Sequence, residues 1–472
     1  MADNPFYSWA DPAFVASVIA PALATIEAVA NIHFVYLGHS SDVRNAPADM
    51  SFTLGDSTIL RGLNVEAVGF FPNTNLTNNL LASYGLSRTD YPKADGDIWF
   101  NADFSAQALA AHDPGSQVFA TILHEVGHTL GLKHPFDNGG TGHPTFTQAG
   151  IAAFDQPYFT AMSYGTPAGA TIAKGYLATP GVIDIAALQS IYGANPNTGA
   201  GDTYYNFVDD GAGHSIYDVG GGDALGTSNM SAPMRISLTP GIGGAARLDG
   251  SSLSFMKIAN GTIIENAVGG TGNDVINGNS ANNYIDGSGG INTYILSGAR
   301  SSYSISAGGG GIVAADTVAG RDGSDTLVNV QRLVFSDGEV AFDLQGNAGQ
   351  AYRLYQAALH RTPDTSGLSW HVNRLDHGVS LHDTAANFIA SPEFTQLYGA
   401  STSNQAFVTA LYANVLGRAP DAVGNAYWLQ HLAEGSFDRP TVLMGFSESP
   451  ENHGLVDPKI SAGIHLDYGV MT

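Results

Sequence analysis

The sequence predicts a multidomain chain of three textures: an α+β domain over residues 1–195, a β-rich parallel β-roll domain over 196–345 and an all-α domain over 346–472. Three observations carry this expectation. Residues 12–193 mix helical apolar periodicity with short β-branched runs, and residues 121–135 contain the pattern H-E-x-x-H-x-x-G-x-x-H. Residues 269–295 repeat every nine positions around glycine. Residues 354–364 recur as 411–421 with helical spacing.

Composition narrows the class. A length of 472 residues suits several domains, and 44% hydrophobic content indicates folded ones rather than disorder. A net charge of −24, from 42 acidic and 18 basic residues, disfavours nucleic acid and anionic membranes and suits hard cations such as calcium. With no cysteine there is neither a disulfide framework nor a thiol latch. No apolar run is long enough to be a transmembrane segment. The first residues carry no basic n-region and no long apolar h-region, so the chain either stays inside or leaves by a route that needs no N-terminal signal peptide.

Taken in order, residues 12–30 read as a helix rich in Ala, Val and Ile, with Pro21 kinking it or delaying its start. Residues 32–37, 49–54, 64–71 (closed by Pro72) and 97–100 read as strands. The helix that follows carries His124 and His128 at i and i+4, so both point at one metal ion. Gly131 has no Cβ and can enter the left-handed region, turning the chain so that His134 becomes a third ligand. Three imidazoles with one open position describe a catalytic zinc rather than a closed structural one. Glu125 sits where a carboxylate can take the proton of a water activated by that metal. The competing reading is an amphipathic helix whose histidines are merely satisfied polar residues. The extended motif argues against it, because it fixes five residues in a chain with only 15 His.

Downstream, Ala161-Met162-Ser163-Tyr164-Gly165 resembles the Met-turn of metzincins. That resemblance implies that Met162 forms an apolar floor beneath the zinc and that Tyr164 is a further zinc ligand which swings to the oxyanion. Read alone, the two are a core methionine and a buried hydrogen-bonded tyrosine. In that family the strand before the Gly-Asp strand, here residues 64–71, edges the cleft and pairs with an extended substrate; the plain alternative is an ordinary edge strand.

Residues 182–193 have helical spacing and a glycine stop, and resemble the segment that ends the catalytic domain of serralysins. Asn195-Pro196-Asn197 reads as a boundary. Beyond it, Asp218-Val219-Gly220-Gly221-Gly222-Asp223 resembles a serralysin calcium turn. Residues 269–277 (GGTGNDVIN) match the RTX repeat fully, which points to Gly269, Gly270, Gly272 and Asp274 as calcium-site residues. The next two repeats have Asn283 and Asn292 in the Asp position. Such repeats wind into a parallel β-roll with calcium in the turns and the apolar eighth positions inside.

The final part is an internal helical repeat, in which 391–393 map to 449–451 with one residue added. It resembles a helical module of secreted bacterial proteins and, distantly, phycobilisome linkers. Its role is either a stabilising cap or attachment to a surface-layer (S-layer) protein or glycan, and Trp370 and Trp428 are either core or carbohydrate-stacking residues. Residues 466–471 resemble an acidic-then-apolar export terminus.

The resemblance to serralysins spans about residues 12–300. It implies a calcium-stabilised extracellular zinc endopeptidase acting on protein and peptide substrates and secreted by a type I system. The rival class is a surface-attachment protein on a catalytically dispensable metzincin/RTX scaffold. Retention of Glu125 with all three histidines favours the enzyme.

Overall fold

The computed structural model describes residues 6–7, 9, 12–55, 60, 66–101, 111–138 and 143–467. The chain divides into two compact units, Met1–Val268 and Gly269–Thr472.

In the first unit, helix α1 (Pro12–Val29) runs through Pro21 without a break. Strands β1 (Phe6–Tyr7), β2 (Phe52–Gly55), β3 (Ala67–Gly69) and β4 (Ile98–Asn101) form one sheet in the order β1-β2-β4-β3. β2 and β4 are parallel, and β3 is antiparallel to β4 at the edge. Alternation along β4 places Ile98 and Phe100 on one face and Trp99 on the other. The first face packs on α1 and on α3 (Gln117–Thr129); the second packs on Phe70, Tyr91 and Leu81 of α2 (Thr74–Ser83).

Several sequence expectations are corrected here. Residues 32–37 form no strand: Val35, Tyr36 and Leu37 are exposed, and no strand among the described residues pairs with them to turn β-propensity into a ladder. Helix α2 was not expected; its polar composition hides the periodicity, and only Asn73, whose side chain caps the Asn75 and Leu76 N–H groups, marks its start. The strands expected at 49–54, 64–71 and 97–100 are the shorter β2, β3 and β4, with residues 64 and 65 outside the described ones.

Helix α4 (Val182–Tyr192) ends at Gly193, whose φ of 83° lies in the left-handed region. Residues 195–198 are tied to α1, because Asn195 Nδ2 donates to Glu27 O and Thr198 Oγ1 to Ala28 O. Seven short strands complete the unit: β5 (Tyr204–Asn206), β6 (Gly213–Ile216), β7 (Ala224–Gly226), β8 (Met234–Ser237), β9 (Gly244–Arg247), β10 (Phe255–Ile258) and β11 (Asn266–Val268). β5, β7 and β11 pair in parallel, while β8-β9-β10 is antiparallel with β6 added in parallel.

The second unit opens with β12 (Val275–Asn277), β13 (Tyr284–Asp286) and β14 (Thr293–Ile295). β12 and β14 pair in parallel with Val275 opposite Thr293, two nine-residue repeats apart. Ile276, Ile285 and Tyr294, the eighth positions, are buried. β15 (Tyr303–Gly308), β16 (Gly311–Asp316) and β17 (Ser324–Val328) join β13, while β18 (Arg332–Phe335), β19 (Gly338–Ala341) and β20 (Ile464–Leu466) join β14. Leu466 is therefore a buried strand residue, and residues 468–472 lie outside the described ones.

Between β19 and β20 the chain is helical: α5 (Asn347–Leu359), α6 (Thr365–Asp376), α7 (Leu381–Ile389), α8 (Pro392–Tyr398), α9 (Asn404–Leu416), α10 (Ala422–Glu434), α11 (Arg439–Ser447) and α12 (Pro450–Ile460). Capping follows the repeat, since Asp364 and Asp421 accept from the N–H groups of Gly367 and Gly424. No helix among the described residues is long and apolar enough to cross a membrane.

Candidate active site

Helix α3 starts where Ser116 accepts the Phe119 N–H, and its apolar face (Val118, Phe119, Ile122, Val126) anchors it in the core. It ends as the sequence spacing requires. Leu132 N–H bonds back to Gly127 O at 2.9 Å, and Gly131 takes a φ of 97°. That turn brings His134 beside the helix. His128 Nε2 lies 3.1 Å from His134 Nε2, which lies 3.2 Å from His124 Nε2. Among the described residues, these three are the one group of three or more metal-binding side chains with ligand atoms within 4.8 Å of one another.

Each outer ring nitrogen is held. His124 Nδ1 meets Ala161 O at 2.8 Å, His128 Nδ1 meets Leu132 O at 2.8 Å, and His134 Nδ1 meets Asp137 Oδ2 at 2.7 Å. Outer partners of this kind fix the tautomer and leave each Nε2 lone pair free for a metal. Burial pushes His124 down to about 4 and His128 down to about 3, so both rings are neutral, as ligands must be. The donor set, three convergent imidazole nitrogens with oriented outer nitrogens, fits zinc with an open position.

Glu125 is buried, and burial pushes its carboxyl up to about 8, against a lowering hydrogen bond from the Gly69 backbone. Gly69 lies on the edge strand β3, where a Cβ would come 2.5 Å from the Glu125 carbonyl oxygen. Only glycine lets the strand approach the helix this closely. Phe71, just beyond β3, lies 5.1 Å from the His128 ring.

Met162 is buried beneath Gly127, where an added Cβ would lie 2.7 Å from its Sδ. Tyr164 is 69% exposed, yet its ring lies 4.5 Å from His134 and 5.6 Å from His124. The structure thus gathers His124, Glu125, His128, Gly131, His134, Met162 and Tyr164 in one place.

Three residues that the sequence motifs do not include hold this arrangement. Asp184, on the first turn of α4 and fully buried, accepts from Thr160 Oγ1 at 2.5 Å, Ala161 N at 2.7 Å and Gly181 N at 2.9 Å. Since Ala161 O receives His124, Asp184 positions a histidine through the backbone of the Met-turn. Its only sequence signal is an Asp three residues after a glycine at a helix start. Asp137 was detectable as a carboxylate three residues past His134. Gly127 left no signal, because its need arises from Met162.

Residues 182–371 match the family model described as peptidase M10 serralysin C terminal. The chain resembles the serralysins. It is 37% identical over 207 residues to metallopeptidase AprA of Pseudomonas marginalis, covering 39% of this chain and 42% of that protein. Serralysin C of Dickeya chrysanthemi is 36% identical over 203 residues (38% and 40%), and serralysin of Proteus mirabilis 31% over 273 residues (53% and 51%). The chain spans about two fifths to half the length of these curated relatives. Residues 385–456 match a family described as a domain of unknown function (DUF4214).

The serralysin-like region holds the calcium candidates. Asp218 Oδ2 accepts from Tyr205 and its Oδ1 from Gly220 N. Asp223 accepts Thr203 N through Oδ1, while its buried Oδ2 has no hydrogen-bond partner. Burial pushes Asp223 up to about 6, and the charges of Asp218 and Glu265 add to this. An orphaned buried carboxylate oxygen beside a second carboxylate fits a hard cation. Asp274 Oδ2 accepts Gly270 N at 2.8 Å, and a Cβ on Gly269 would lie 2.5 Å from that same oxygen. The carbonyl of Gly272 faces Gly290 of the turn two repeats on.

The two asparagines behave differently. Asn292 Nδ2 donates to the carbonyls of Gly287, Gly289 and Asn329 at 2.8–3.0 Å, and its Oδ1 accepts Asp274 N. Asn283 Nδ2 donates to Asn279 Oδ1 and its Oδ1 accepts Asn279 N. In these turns an amide stands where the consensus repeat has a carboxylate.

Proposed function

We propose that the chain is a secreted zinc-dependent endopeptidase that hydrolyses peptide bonds of proteins and is stabilised by calcium. In this reading residues 1–195 are a metzincin-type catalytic domain, 196–345 an RTX-type calcium-binding domain and 346–472 a helical tail, exported by a type I system. The observation that carries it is the convergence of His124, His128 and His134 with Glu125 on the same helix. The metallopeptidase relatives support the same class.

His124, His128 and His134 would hold the zinc, which supplies Lewis acidity toward a peptide carbonyl and toward water. The edge strand β3 offers main-chain groups to an extended substrate, laying it along α3. Glu125 takes a proton from the attacking water and returns it to the leaving amine. Tyr164 stands beside the histidines to donate a hydrogen bond to the developing oxyanion. Met162 and Asp184 act by positioning, one beneath the helix and the other through Ala161.

The direct test is hydrolysis of an unfolded casein-type substrate before and after zinc is stripped and restored. Activity that disappears with the metal and returns with it is expected; activity indifferent to chelation would end the zinc reading. Tyr164→Phe should cut kcat by about 10²-fold or more with zinc content unchanged. Loss of zinc would make Tyr164 structural instead.

Calcium gives a separate expectation. Asp218, Asp223 and Asp274 are the carboxylates assigned to it, with the Asn283 and Asn292 turns already closed by their own amides. Millimolar calcium should raise the melting temperature of the full chain measured in chelator, and Asp223→Asn should blunt the rise. A Tm that is the same in calcium and chelator would remove calcium from the account.

A further inference from the structure

The two helical repeats fill one equivalent position differently. In the second, Trp428 packs its indole on Phe446 (5.4 Å), into room left by Gly445, where an added Cβ would lie 2.5 Å from the ring. The equivalent residues of the first repeat are His371, Phe388 and Asn387. The Tyr–Phe and Arg–Glu pairs around it are shared, while Trp370 and Arg374 stand where the second repeat has Tyr427 and His431. Tyr355 meets Phe388 at 5.2 Å and Tyr412 meets Phe446 at 4.9 Å. Arg361 and Arg418 each lie 4.9 Å over those tyrosines and pair with Glu393 and Glu451. With a smaller ring at 371, the first repeat keeps a cavity of about 460 Å³, within the ~300–1,000 Å³ of small-molecule sites.

The lining has a definite chemistry. His371 stacks on Phe388 at 4.3 Å, is nine-tenths buried, and has no hydrogen-bond partner for Nδ1. Trp370 is 52% exposed, with the Arg374 guanidinium 4.7 Å from its ring centre. Arg374 forms no ion pair among the described residues of a chain with net charge −24. Asn387 sets an amide at the wall. Glu393, also in the wall, is neutralised by Arg361 at 2.6 Å.

We propose that this cavity binds a sugar unit bearing a carboxylate: its ring C–H face on Trp370, its carboxylate on Arg374 and its hydroxyls on Asn387 and His371. An exposed indole suits the apolar face of a pyranose, and planar amide and imidazole groups suit its hydroxyls. An unpaired guanidinium beside them calls for an anion. A nucleotide is disfavoured, because the several charges of a polyphosphate would meet one unpaired cation, Arg374, Arg361 being taken by Glu393.

The test is calorimetric titration of the full chain with glucuronate and, separately, with glucose. Glucuronate should bind saturably, with glucose at least about tenfold weaker, and Arg374→Gln should erase that difference. The double change His371→Trp, Asn387→Gly copies the second repeat and should abolish binding with the melting curve retained. Trp370→Ala, at an exposed position, should weaken both sugars if the double variant fails to fold. Failure of glucuronate to bind the wild type, equal binding of glucose, or binding that survives the filled cavity would each overturn the assignment.

Discussion

Glu125→Ala should lower turnover on an unfolded protein substrate by about 10²–10⁴-fold while the zinc content stays at one per chain. The two halves of this expectation have separate causes. Zinc is retained because the three imidazoles and their outer partners Ala161, Leu132 and Asp137 are untouched. Turnover falls because no other described carboxylate takes the place of Glu125. Glu66, the neighbouring acid that helps raise Glu125, is engaged by Gln117 Nε2 at 2.6 Å and Thr121 Oγ1 at 3.1 Å. The fold should tolerate the change, since it removes a buried acid rather than stranding one. Metal analysis beside a rate assay decides the matter: a variant with full zinc and undiminished turnover would refute the role given to Glu125.

Arg332→Met should be among the most destabilising single changes in the second unit, costing about 3–5 kcal/mol at neutral pH. Arg332 is fully buried and faces Asp343, Asp376 at 3.0 Å and Glu339 at 3.8 Å. It joins β18 to the first helical repeat, since Asp376 ends α6. Methionine fills much of the volume but leaves three carboxylates without their cation. Burial already pushes Glu339 up to about 7 and raises Asp343, with Arg332 opposing both shifts. The sign follows from these raised values. A folded-state pKa above the unfolded one gives stability that is fully present at low pH and lost as pH rises, here from about 4.5 towards 7. Without Arg332 the shifts grow, so the defect should be largest at pH 7–8 and shrink towards pH 5. Adding Glu339→Gln should recover part of the loss. Urea unfolding at the two pH values measures this, and a defect independent of pH would mean that lost packing dominates.

How much was legible in the sequence differs from element to element. The convergence of His124, His128 and His134 was readable because helix geometry converts i, i+4 spacing and one glycine into a three-dimensional statement. The eighth positions of the nine-residue repeats were readable for the same reason, each being the buried centre of a three-residue strand. Residues 32–37 misled, since a strand exists only when another strand accepts its hydrogen bonds. Asp184 was hidden because its partners, Thr160 and Ala161, lie more than twenty residues away and are joined to it by packing alone. The cavity at His371 was hidden too: it shows only when the folded repeats are compared and the smaller His371 ring is seen where Trp428 fills the second.

The Asn292 amide closes the turn at 287–292 from within the chain. A dissolved cation is present only at the concentration of the medium. A group tethered five residues from Gly287 stands at an effective concentration of about millimolar or above wherever the chain travels. The turn at 287–292 is thus closed by a group of its own chain, and that closure is insulated from changes in the ionic composition of the medium.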